Sequence, residues 1–177
     1  MEDFVMKKLW KKIALGLVAL TMASQAHALI LIEPYVGYDF SVSGKDSSGN
    51  DMDFNGWGYG GRLGLQLAMI MFGVSYDKLD LSLEPGGNWD QTNTGIFVGW
   101  NPKGEGIRFW GTYFFSKGGS DDDKGMGYAL GLGWKFKPWL ALNLEYRGYT
   151  FDKPEGDSDK PKLDSLFLTV SFPFDLL

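Results

Sequence analysis

Residues 139–149 read WLALNLEYRGY. From Leu140 onward, every second residue is apolar. Leu140, Leu142, Leu144 and Tyr146 share one face of an extended chain, and Ala141, Asn143, Glu145 and Arg147 share the other. A half-buried strand in water would hide the leucines and show Glu145 and Arg147 to solvent. A strand in a lipid-embedded barrel would do the reverse, because its outer face meets hydrocarbon. The rest of the chain decides between the two.

The same period recurs in seven other segments: 31–43, 54–67, 70–82, 91–100, 107–117, 125–136 and 163–174. In 31–43, Val36, Tyr38, Phe40 and Val42 oppose Glu33, Tyr35, Asp39 and Ser41. In 125–136, Met126, Tyr128, Leu130, Leu132, Trp134 and Phe136 oppose Gly127, Ala129, Gly131, Gly133 and Lys135. The apolar faces are nearly unbroken in all eight, whereas a small sandwich has edge strands with charged or interrupted faces. The opposite faces carry many glycines and isolated charges, which suits the cramped inside of an eight-strand barrel.

The connections also alternate. Those after the first, third, fifth and seventh segments are long and polar (SGKDSSGND, LEPGGNWD, GGSDDDK, FDKPEGDSDKPK), and those between are short, near Ala68-Met69, Asn101–Gly106 and Lys137-Pro138. Long and short connections in turn are the layout of an up-and-down transmembrane barrel, with short turns on the periplasmic side and longer loops outside. The turn at 68–69 is expected despite having no Gly, Pro, Asn or Asp. Trp100, Trp134 and Phe136 fall beside the short turns, and Trp57, Tyr59, Tyr76, Tyr113, Tyr128 and Tyr146 toward the long loops. Two such groups match the aromatic girdles of the membrane interfaces.

The chain has 177 residues and no cysteine, which rules out disulfide and thiolate chemistry. Its start reads as an export signal: Lys7, Lys8, Lys11 and Lys12, then apolar Ile13–Ala23, then Ala26-His27-Ala28 as the cleavage pattern. Met6 offers an alternative start. Residues 1–28 are thus expected as signal peptide and 29–177 as the barrel. Cleavage after Ala28 leaves 149 residues with 13 bases and 20 acids, a net charge of −7, and no histidine. An acidic chain is a poor partner for nucleic acid.

These features resemble the small eight-stranded outer-membrane β-barrels of the OmpA/OmpX type. The closing stretch LFLTVSFPF, residues 166–174, is similar to the C-terminal targeting signal of that family, although Pro173 interrupts it and Asp175-Leu176-Leu177 follow. The resemblance implies an all-β, antiparallel barrel in the outer membrane. It also implies contact with membrane lipid and lipopolysaccharide, delivery by the barrel assembly machinery, and a monomer.

The inward faces collect eight charges: Glu33, Asp39, Arg62, Asp77, Arg108, Lys135, Glu145 and Arg147. Four acids and four bases make a balanced set, and charges held from water must pair. The first expected pairing is Glu145 with Arg147 or Arg108. Enzymatic barrels are implied by resemblance to use histidine with acids or serine, and the mature chain lacks a histidine base, so no catalytic residue and no cofactor is expected. Asp121, Asp122 and Asp123 could hold a divalent cation, but Asp-rich segments are ordinary solvated loops. The reading is a non-enzymatic outer-membrane barrel with a structural or surface-interaction role, its lumen plugged by charged side chains, and its loops free to meet an unidentified surface ligand. The alternatives are a narrow pore and a soluble periplasmic β-domain.

Overall fold

The computed structural model describes residues 28–45, 51–83, 87–118, 123–152, 160 and 162–176. The strands are β1 (Leu29–Lys45), β2 (Asp51–Leu67), β3 (Ile70–Leu83), β4 (Asn88–Trp100), β5 (Gly106–Gly118), β6 (Asp123–Lys137), β7 (Leu140–Phe151), β8 (Lys162–Ser171) and β9 (Phe174–Leu176). Every neighbour is antiparallel, and β1 pairs with β2 on one side and with β8 and β9 on the other, which closes the sheet.

β8 and β9 are two halves of one eighth strand. Tyr35 opposes Ser171 and Ile32 opposes Phe174, so the register runs straight across the gap. The break has a backbone cause: Pro34 and Pro173 both lack an N–H to give the ladder. One bond bridges it, from the Phe172 N–H to the Pro34 carbonyl at 2.9 Å. The eighth segment thus runs through 174 as the sequence indicates, with its ladder interrupted at Phe172 and Pro173.

Three other details depart from simple alternation. The pairing of β1 shifts between Asp39 and Val42, so the period-two reading of 31–43 holds only as far as Phe40. The turn at 68–69 is present, and Ala68 supplies it with φ of 55°. That left-handed conformation costs a non-glycine residue about 1–2 kcal/mol. Last, Trp139 lies in the turn before β7 rather than in the strand.

The alternation sorts side chains by face. Leu142 and Leu144 point outward with Leu130, Leu132, Leu168 and Val170, all about 40–60% exposed. Among the described residues, far more large apolar side chains are exposed than buried, the inverse of a water-soluble domain. Aromatic side chains frame this belt. Trp134, Phe136, Trp139 and Phe174 lie toward the short turns, and Trp57, Tyr59, Tyr76, Tyr113 and Tyr128 toward the long connections.

The strands are longer than the sequence segments. Seventeen residues, as in β1 and β2, rise about 40 Å along a barrel axis when tilted about 45°, against an apolar band of about 25 Å. Beyond the tyrosine girdle the faces exchange character without changing parity. Outward positions become Asp80, Ser82, Asp90, Lys117, Lys124 and Asp164, all exposed. Inward positions become Phe54, Leu79, Leu81, Phe151 and Leu163, all at most 3% exposed. They pack with Phe114, Phe167 and Tyr149 as one apolar cluster beneath the half-buried Trp89.

Candidate functional site: the barrel interior

Three layers fill the inside. Nearest the short turns is an apolar floor of Leu31, Met71, Phe97 and Trp110. A polar layer follows, and the aromatic cluster lies above it. Glycine makes the floor possible: a Cβ on Gly131 would stand 2.1 Å from the Trp110 indole, so the ring lies where a side chain would be.

The polar layer is built from inward positions of nearly every strand. Its ion pairs run both across the barrel, as Arg108–Glu33, Arg62–Glu145 and Arg147–Asp77, and along the sheet, as Arg62–Glu33 and Arg147–Glu145. Arg108 on β5 forks onto Glu33 on β1, with Nη1 donating to Oε2 at 3.0 Å and Nη2 closing on Oε1. Arg62 on β2 donates to Glu145 on β7 and lies 3.3 Å from Glu33. Arg147 holds Glu145 through Nε at 2.8 Å and Nη2 at 2.7 Å, and reaches Asp77 on β3 at 3.3 Å. Each of these six side chains is at most 3% exposed. Such charges are tolerable only with several partners each, because desolvation otherwise exceeds the Coulomb gain.

Neutral groups complete the layer. Asn143 accepts from Arg108 Nη2 at 2.7 Å and donates to Thr169 and Ser171. Asn93 donates to Asp77 at 2.6 Å and accepts from Ser116 and Gln91. Tyr35 donates to Asp77 at 3.0 Å. Aromatic faces carry the guanidiniums: Arg62 lies 4.4 Å from the Trp110 ring centroid and Arg147 lies 4.0 Å from that of Phe167.

Of the eight charges expected from sequence, this structure brings six together. Glu145 meets Arg147 and Arg62, and Arg108 is drawn to Glu33 instead. Lys135 lies lower, with its ammonium 3.7 Å from Asp175 and 3.4 Å from the Pro102 carbonyl. Asp39 is 1% exposed, and among the described residues neither of its carboxylate oxygens has a hydrogen-bond partner. The sequence reading did not single out Asn93, Asn143, Tyr35 or Tyr149 as members of the network. All four lie at inward parity, and looking for amides and phenols there as well as charges would have found them. Asp121 and Asp122 lie outside the described residues, as does the side chain of Asp123. Among the described residues, no group of three acidic, histidine or cysteine side chains is placed to hold a metal ion.

Comparison with known proteins bears on the whole barrel. A family profile described as the outer membrane protein beta-barrel domain matches residues 13–174. No curated protein matches the sequence. Among solved structures, the chain is similar to Neisserial surface protein A, at 14% identity over 82% of this chain and 97% of that one, with a TM-score of 0.56. It is also similar to Ail, the attachment invasion locus protein of Yersinia pestis, at 12% identity over 82% and 99%, with a TM-score of 0.57. A second structure of Ail, in complex with the heparin analogue sucrose octasulfate, aligns with a TM-score of 0.52 at 13% identity. At these identities the likeness is one of fold.

Proposed function

We propose that this chain, which belongs to the outer membrane protein beta-barrel domain family, is a non-enzymatic, monomeric anchor. It closes its own lumen and presents its long connections at the cell surface. Its place is the outer membrane, and that sets aside the soluble periplasmic alternative. The outward leucines and aromatic girdles meet lipid there, including lipopolysaccharide in the outer leaflet. The interrupted eighth strand is the segment the assembly machinery would read.

The observation that carries the closed lumen is the set of crossing ion pairs. Arg108–Glu33, Arg62–Glu145 and Arg147–Asp77 join strands on opposite sides of the barrel. They lie between the floor around Trp110 and the cluster around Phe167. An aqueous path would have to break several of these pairs and pass two apolar layers. A barrel of eight strands is just wide enough for its side chains to fill. Most of the interior polar side chains are committed to one another, which favours a role carried at the surface. Loops on a rigid scaffold are where binding concentrates, and the likeness in fold to a surface protein and an attachment protein supports that reading.

Planar-bilayer recording on the purified barrel tests it. A closed lumen gives a silent membrane. A steady, stepwise conductance in the unmodified protein would support the narrow pore instead.

A further inference from the structure

The apolar belt is not smooth. Two grooves, of about 520 and 530 Å³, run along its outer face on the side of β4–β8. Each falls within the range of about 300–1,000 Å³ of small-ligand sites. The first is lined by Ile107, Leu132, Leu142, Leu144 and Leu168, and the second by Val98, Trp100, Phe109, Gly111 and Leu130. A ridge separates them: Leu132 belongs to the first, Phe109 to the second, and the two stand opposite each other across the β5–β6 pair. Phe109 is held by stacking on Trp100, with ring centroids 5.6 Å apart. Gly111 opens the second groove, since a Cβ there would meet nothing nearer than 3.9 Å.

Both grooves start at the same short turn. Trp100, in the second, is the last residue of β4, and Gly106, in the first, is the first residue of β5. The connection 101–105 therefore links their lower ends. It carries Lys103 and Glu105, both exposed, and Glu105 lies 3.3 Å from the exposed Lys137 at the end of β6. The other charged pair at this end, Lys135 with Asp175, is itself balanced. Two lysines against one glutamate leave a single positive charge beneath the two grooves. Trp134 and Phe136, with ring centroids 4.6 Å apart, mark the height of the membrane interface there.

We propose that this face seats one anionic diacyl phospholipid of the periplasmic leaflet, with one acyl chain on each side of the Phe109–Leu132 ridge and the phosphate beside Lys103 and Lys137. Two grooves that share a lower end match two chains joined at one glycerol, and the surplus positive charge matches the head. Short turns face the periplasm, so the leaflet is the phospholipid one. The chains gain little by leaving the surrounding hydrocarbon, which is as apolar as the grooves. Shape holds them, and charge at the rim selects the head, at about fivefold per lysine. The proposal rests on the barrel's place in the outer membrane and not on a closed lumen, so conductance and lipid retention can fail separately.

The experiment incubates the detergent-folded barrel with equimolar dioleoylphosphatidylglycerol and dioleoylphosphatidylcholine and counts the lipids it retains by native mass spectrometry. The wild type should keep one phosphatidylglycerol per barrel, preferred by about fivefold over phosphatidylcholine. Lys103→Gln combined with Lys137→Gln should remove that preference. Gly111→Leu fills the second groove and leaves the head site intact. It should lose the diacyl lipid while binding single-chain lysophosphatidylglycerol as the wild type does. Equal retention of the two diacyl lipids by the wild type overturns the proposal, as does a preference that survives the double lysine variant. Diacyl binding by Gly111→Leu at the wild-type level assigns the lipid to the charged rim alone and also overturns it. Should Gly111→Leu not fold, the wild-type comparison and the lysine variant still decide.

Discussion

Below the tyrosine girdle the barrel is apolar outside and holds a polar layer inside, over an apolar floor; above the girdle, the same strands are polar outside and apolar inside. β3 shows both states in one strand. Phe72, Val74 and Tyr76 point out while Ser75 and Asp77 point in. Four residues further on, Asp80 and Ser82 point out while Leu79 and Leu81 point in. The parity of the backbone never changes; only the solvent does. Hydrocarbon surrounds the lower section, so its ionic groups must find partners inside. Water surrounds the upper section, so its apolar groups collapse inward as in any soluble barrel.

Six substitutions, two of them controls, test this account. Glu145→Ala should have the largest effect: it leaves Arg62 and Arg147 each short of a buried partner, at a cost of about 3–5 kcal/mol, read as a lowered midpoint in detergent unfolding. Leu81→Ala, in the upper interior, should cost about 2–5 kcal/mol by opening a cavity, while Ser82→Ala beside it should be silent. Leu144→Arg should cost about 2–4 kcal/mol in folding into bilayers, because it sets a cation in hydrocarbon. Thr92→Arg, outward but above the girdle, should fold as the wild type does, and equal losses at the two positions would erase the proposed boundary. Ala68→Gly should have the smallest effect and the opposite sign, raising stability by about 1 kcal/mol as it relieves the left-handed turn residue.

Much of the lower section was legible in the sequence, because period two and the cost of a lipid-facing arginine fix the faces of a strand such as β7. The upper section was equally visible but harder to read. KLDLS at 78–82 keeps the alternation and swaps its polarity, which only makes sense once the surrounding medium is allowed to change along one strand. The bulge after Asp39 lies in the pairing between strands, and a single strand's sequence does not record it; Pro173 was visible as an interruption, but its meeting with Pro34 on the neighbouring strand was not. Apart from Glu145–Arg147 within β7, the ion pairs were out of reach for the same reason. Glu33 and Arg108 are 75 residues apart, and their meeting depends on strand register and tilt. The assignment of Lys135 to Asp175 depends on height along the axis, which leaves no trace in alternation.

The most direct test uses the absence of cysteine, which makes single-cysteine variants unambiguous. Leu142→Cys and Asp80→Cys, each carrying a fluorophore and folded into vesicles with brominated acyl chains, place one probe on the belt and one on the outer section. The account predicts strong quenching at 142, none at 80, and reaction of only the unlabelled 80 variant with a charged, water-borne maleimide. Equal quenching at both sites, or ready reaction of the 142 variant with the charged reagent, would contradict it.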